Sequence, residues 1–193
     1  GEESISTNPA NEQPGEISIP KNIVVGYLSQ KVINDANNTL YDEAIDVFKD
    51  QIKREKELEL LANKIALEPN NEDLHNEYAK KLNYFEAHGG YDYHYLIEMI
   101  LLKFGFKKED FNRKISSFSG GERTKMAFAK LLLIKPDLLI LDEPTNHLDI
   151  STIDWLEDYL KNYPGTILFV SHDRYFINSL ANRIFEIENK ELN

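Results

Sequence analysis

Two short apolar runs, each ending in polar residues, constrain this chain more than anything else in it. "DLLILDEP" (137–144) sets four aliphatic residues before two acids, and "TILFVSHD" (166–173) ends an apolar run in Ser-His-Asp. Runs of this length without alternation fit strands of a parallel sheet buried on both faces. Between them "STIDWLEDYLKNY" (151–163) reads as a capped helix closed by Pro164-Gly165. A third strand is predicted at "RIFEIEN" (183–189). Near the start, residues 1–15 read as loop, and "EISIP" (16–20) and "NIVVGYLSQ" (22–30) predict two short strands, the second ending near Tyr27. Strands alternating with helices imply an α/β fold on a parallel sheet. Ligands of such sheets sit at the carboxyl ends of strands, which is where Asp142-Glu143 and Ser171-His172-Asp173 fall.

Between the two strand regions the apolar period changes. Thr39, followed by Asp42 and Glu43, predicts a capped helix running unbroken to about Leu67. Ile45, Phe48 and Ile52 make one apolar stripe on it; Leu58, Leu61 and Ile65 make another. The all-charged "KREKE" (53–57) is expected in solvent. Pro69-Asn70-Asn71 turns the chain, and a second helix carries Leu74, Tyr78, Leu82 and Phe85 on one side until Gly89-Gly90 stops it. Two antiparallel helices with facing stripes form a hairpin arm. Residues 92–104 predict a further helix ended by Gly105, and "ERTKMAFAKLLLIK" (122–135) a nearly continuous apolar helix stopped at Pro136.

Composition narrows the function classes. A net charge of −11 argues against nucleic-acid binding by the whole surface, leaving a local patch such as Lys53, Arg54, Lys56, Lys80 and Lys81 on the arm. Acids outnumber bases there, so a solvated arm is equally compatible. The absence of cysteine removes disulfides, thiol nucleophiles and thiolate metal sites, and fits a reducing cytoplasmic compartment. No apolar run approaches the roughly 18 residues of a membrane span, and the polar start lacks the basic-then-apolar order of a signal peptide.

Four short motifs carry chemistry. Asp142, at the end of a strand, could hold Mg²⁺ through water, and Glu143 beside it could orient and deprotonate an attacking water. His172, ending the next strand, could meet a terminal phosphate oxygen. Gln30, after "VGYLS", could reach the metal or that water. Ser119, Gly120 and Gly121 open a helix whose backbone N–H groups and dipole would receive an anion, with no Cβ to hold it off. Taken singly, each has an ordinary alternative: solvated acids, a surface histidine, a surface glutamine, a turn.

Taken together, in order and spacing, they resemble an ATP-binding cassette (ABC) ATPase. "FSGGE" (118–122) looks like the ABC signature, "LLILDEP" (138–144) like Walker B with its catalytic glutamate, "NHLD" (146–149) like the D-loop, "VSHD" (170–173) like the switch histidine and "GYLSQ" (26–30) like the Q-loop. "LDEPTNHLD" and "VSHDRYF" are similar to the ABC-F subfamily, soluble two-cassette proteins most of which act on ribosomes. The helical pair at about 42–88 lies where that subfamily carries an arm insertion. "GGYDYHYLIEMIL" and "TIDWLEDYLKNYPGT" are most similar to the first cassette.

The resemblance implies a parallel-sheet P-loop NTPase core. Residues 1–38 would be its remnant ending in the Q-loop, 39–115 a helical subdomain carrying the arm, and 116–193 the signature, Walker B, D-loop and switch-histidine part. It implies ATP and Mg²⁺ as cofactors, with Glu143 and His172 catalytic, and Asp142 and Gln30 on the metal. Gln30, Ser119, Gly120, Gly121, Glu122, Asp142 and Asp149 would contact nucleotide, Ser119 and Gly121 serving the nucleotide of a second cassette. The implied partners are that second cassette and the ribosome. The departure is Walker A: no glycine here is followed by lysine, so G-x-x-x-x-G-K-[ST] is missing. The chain therefore reads as the later piece of one cassette, expected to be inactive and prone to self-association by itself. A transporter's nucleotide-binding subunit and a non-catalytic arm-bearing binding module are the competing readings.

Overall fold

In the computed structural model, which describes residues 20–28, 33, 35, 37–185, 187–188 and 191–192, three parallel strands form one sheet. β1 (Val25–Tyr27), β2 (Leu138–Asp142) and β3 (Thr166–Val170) lie side by side in that order. The register sets Tyr27 beside Ile140, and Asp142 beside Val170. The strand expected at "EISIP" lies outside the described residues.

The amino ends of all three strands meet at one corner. Asp137 accepts the Val24 N–H on its carboxylate (2.8 Å) and the Thr166 N–H on its carbonyl (2.8 Å). The Tyr163 hydroxyl donates to the Pro136 carbonyl at 2.6 Å. The corner is tight enough to require glycine: a Cβ on Gly165 would stand 2.7 Å from the Asp137 carbonyl oxygen, and one on Gly26 2.5 Å from the Pro136 ring.

The helices follow the sequence pattern with one interruption. α1 (Leu40–Ile45) is capped by Thr39, whose hydroxyl accepts the Asp42 N–H at 3.1 Å. The expected unbroken helix then tightens into a 3₁₀ turn at Asp46–Phe48 before α2 (Lys49–Leu67) resumes. The break falls where Phe48 leaves the helix to stack on Tyr93, ring centres 5.5 Å apart. α3 (Glu72–Ala87) folds back on α2, with Phe85 buried and Leu74, Tyr78 and Leu82 half-buried. α4 (Asp92–Lys103), α5 (Gly120–Ile134), α6 (Ile150–Lys161) and α7 (Arg174–Leu180) complete the order. The principal core joins α1, α4, α5, β2, α6 and α7 around residues such as Leu40, Ile97, Phe104, Leu132, Leu139 and Phe176.

Three expectations are corrected. β2 and β3 are not buried on both faces: Leu139, Leu141, Ile167 and Phe169 face the core, whereas Leu168 and Val170 are 52% and 60% exposed. Among the described residues helices cover one side only, so the strands alternate in burial. "RIFEIEN" does not extend the parallel sheet. Its backbone forms β4 (Ile187–Glu188), which pairs antiparallel with β5 (Glu191–Leu192) in a local hairpin. "KREKE" is not all solvated. Arg54 lies over the Tyr84 ring (5.3 Å), Glu55 accepts the Tyr93 hydroxyl, and Glu57 pairs with Lys81 (3.1 Å). Two of the five basic residues that were candidates for phosphate are thus held within the arm.

Candidate functional site

The site forms at the carboxyl ends of β2 and β3. Because the strands are parallel neighbours, Asp142-Glu143 and Ser171-His172 emerge side by side. Asp142 is exposed. Glu143 turns the chain with a left-handed φ of 45°, a conformation that costs a non-glycine residue about 1–3 kcal/mol. Two bonds hold it: its N–H donates to the Val170 carbonyl (2.8 Å), and its Oε2 accepts the His172 N–H (3.2 Å). The His172 ring, 96% exposed, brings Nε2 to 3.4 Å from Glu143 Oε1. That oxygen is buried and takes no hydrogen bond among the described residues.

The turn at Phe118–Gly121 is fixed by its aromatic residue. Phe118 is buried, meets the edge of Phe106 (centres 5.7 Å apart) and lies under the Arg113 guanidinium at 4.2 Å. Ser119 then caps α5: its hydroxyl accepts the Glu122 N–H (3.3 Å), and its own N–H donates to the Glu122 carboxylate (2.8 Å). These bonds, the backbone one first, hold the Glu122 carboxyl below its ordinary range. A Cβ on Gly120 or Gly121 would meet nothing within 4 Å, and neither has a positive φ. Nothing within the described chain requires glycine at either position.

The first turns of α5 and the end of β2 share a cleft of about 210 Å³. Gly121, Thr124 and Lys125 line one side, Asp142, Glu143, Asn146 and His147 the other, with Leu28 at its margin. His147 also has a left-handed φ, 66°. Asp149 caps α6, accepting the Ser151 hydroxyl (2.6 Å) and the Thr152 N–H (2.9 Å), and these bonds pull its carboxyl down to about 2.

Of the residues singled out in the sequence, Asp142, Glu143, His172 and Gly121 are brought together. Ser119, Gly120 and Glu122 stand at the α5 cap beside them, and Asp149 serves the cap of α6. Gln30 lies outside the described residues. Sequence reasoning passed over Thr124 and Lys125; their signal was position, one helical turn after the glycine pair, where side chains share its face. No three His, Cys, Asp or Glu side chains cluster to hold a metal ion among the described residues.

Residues 20–146 match the family described as ABC transporter. The chain is 42% identical over 181 residues to YdiF of Bacillus subtilis (strain 168), covering 93% of this chain and 28% of that one. It is 33% identical over 184 residues to ABC transporter F family member 5 of Arabidopsis thaliana, covering 92% and 27%. It is 33% identical over 178 residues to the energy-dependent translational throttle protein EttA of Escherichia coli O6:H1 (strain CFT073), covering 92% and 32%. The chain thus spans less than a third of the length of each of these relatives.

Proposed function

Because this chain belongs to the ABC transporter family of ATP-binding domains, we propose that its cleft takes part in ATP hydrolysis, with Glu143 as the base that activates water. The observation that carries this reading is the buried Glu143 Oε1, which accepts nothing within the described chain while Oε2 is occupied by the His172 N–H. A buried carboxylate oxygen that takes no hydrogen bond, with the exposed His172 ring 3.4 Å away, calls for a donor. A water molecule in the cleft would give it one, and proton abstraction follows from the same contact.

The other residues take roles consistent with their placement. Asp142, exposed at the strand end, suits a hard cation, and Gln30 is its companion in this reading. With no tight carboxylate or histidine cluster among the described residues, Mg²⁺ would be shared with water and nucleotide oxygens, as that ion prefers. Bound there, it would supply charge neutralisation for the triphosphate. His172, at 96% exposure, is free to turn toward a phosphate oxygen. Gly120 and Gly121 lower helix propensity at the start of α5 by about 1 kcal/mol each relative to alanine. With no described residue beside either, we assign the compensating gain to a close approach of anion to backbone N–H groups. We assign that anion to nucleotide carried by a second cassette.

The finer proposal is a cytoplasmic ABC-F role in translation. It is supported by the EttA relative's name and by the two-helix projection of α2 and α3; among the described residues no helix is long and apolar enough to cross a membrane. Glu143→Gln tests the chemistry in a protein that joins this chain to a Walker A loop. Turnover should fall about 10²–10⁴-fold with nucleotide binding intact; turnover within threefold of wild type removes Glu143 from the role. Sedimentation with ribosomes tests the finer proposal separately.

A further inference from the structure

One buried charge pair has no part in the cleft. Lys130 of α5 and Glu43 of α1 are 3% and 0% exposed, and their Nζ and Oε1 lie 2.5 Å apart. Glu43 Oε2 also accepts the Asn38 side-chain N–H at 2.9 Å. Lys130 stands in "MAFAKLLLI", an apolar stretch where a leucine would pack at no desolvation cost. Burying two charges in place of two hydrocarbons gains little stability, so what such a pair contributes is a fixed geometry.

That geometry links two regions. Upstream of the signature, residues 111–115 are bonded to the start of α1: Leu40 N–H to the Arg113 carbonyl (2.9 Å), Tyr41 N–H to the Phe111 carbonyl (3.0 Å) and Ile115 N–H to the Asn38 carbonyl (2.9 Å). Downstream, α5 runs without a break from Gly120 to Lys130, about 15 Å at 1.5 Å per residue. The signature turn is therefore held on both sides by one six-residue stretch, 38–43. The same stretch leads through the 46–48 turn directly into α2, the first arm helix. α2 is seated on the body through Glu55, which accepts the Tyr93 hydroxyl.

We propose that the Glu43–Lys130 pair, with the backbone bonds of residues 38–41, is a mechanical joint between the arm and the signature turn. A change in the seating of α2 is carried along α1 and felt at residues 116–121. This goes beyond the hydrolytic reading and does not depend on it, because the joint is a property of the fold.

Amide hydrogen exchange on the purified chain tests it as a coupling cycle. Glu55→Ala unseats α2. In the native background it should raise exchange at 116–123 by about threefold or more; with Glu43→Leu/Lys130→Leu also present, the same substitution should change that segment by less than about 1.5-fold. A merely structural pair would leave the two effects additive. Transmission that survives in the leucine background overturns the proposal and assigns the coupling to α4, where Tyr93 resides. Glu43→Gln/Lys130→Met keeps side-chain length and serves as a second background, monitored by circular dichroism. Loss of the fold in both backgrounds also overturns it, since the pair would then be needed to fold and not to couple.

Discussion

At the residue scale the site depends on a few carboxylates with opposite assignments. Glu143 has one oxygen that takes no hydrogen bond among the described residues, with the His172 ring 3.4 Å away, whereas Asp149 has both oxygens occupied at the start of α6. Asp149→Ala should destabilise the fold by about 1 kcal/mol, as loss of a capping side chain does, and Asp149→Asn by less. The folded carboxyl sits at about 2 against an ordinary value of 3.8. A depressed folded value means the contribution is complete above the unfolded value and lost as pH falls through the folded one. In urea unfolding the gap between wild type and Asp149→Ala should hold from pH 6 to about 4, then narrow toward pH 2; a gap independent of pH would contradict the cap assignment. Sequence spacing located Asp142, Glu143 and His172 because each ends an apolar run, a feature of the chain itself. It could not disclose that Lys130 meets Glu43, since those partners lie 87 positions apart; the Ser119-x-x-Glu122 capping box, its partners three positions apart, was open to reading but was passed over. A lysine inside the otherwise apolar stretch 126–134 was the visible trace of the Lys130–Glu43 pair.

At the element scale the arm is legible and its internal links are not. The four-four-three spacing of Leu74, Tyr78, Leu82 and Phe85 gave α3 its inward face. The Phe48–Tyr93 stacking that breaks the first helix depends on a residue 45 positions away. "RIFEIEN" shows strand character but cannot announce that its partner is its own hairpin. The arm also has a core of its own, for Leu58, Leu61 and Phe85 are buried yet stand apart from the principal cluster. Leu61→Ala, a cavity of about 2–5 kcal/mol in a closed core, should accelerate amide exchange in α2 and α3 while leaving β2 and α6 at wild-type rates. Uniform acceleration across the chain would mean that the arm and the body unfold as one unit.

At the scale of the whole molecule the sheet is covered on one side among the described residues. Val25 and Tyr27 of β1 and Leu168 and Val170 of β3 stand exposed on the other, with β2 between them and Ile140 in register with both Tyr27 and Leu168. An apolar face of this kind drives association. Light scattering on the chain should give a mass above that of the monomer and rising with concentration, and Leu168→Lys/Val170→Lys should return it to monomer. A wild type that stays monomeric at every concentration would show that the face is closed by other means. The opposite end of the strands has a different consequence. Asp137, Pro136 and Gly165 clasp the amino ends so closely that Gly26 and Gly165 cannot accept a side chain without displacing a neighbour. Beyond Asp142 and Val170, by contrast, the strand ends open onto solvent and cleft. Variation is therefore sorted by position along a strand: at the clasp it alters how much folded protein exists, and at the open end it alters what that protein does. A lineage, or a laboratory selection, seeking new chemistry on this sheet would find its permissible changes at one end only.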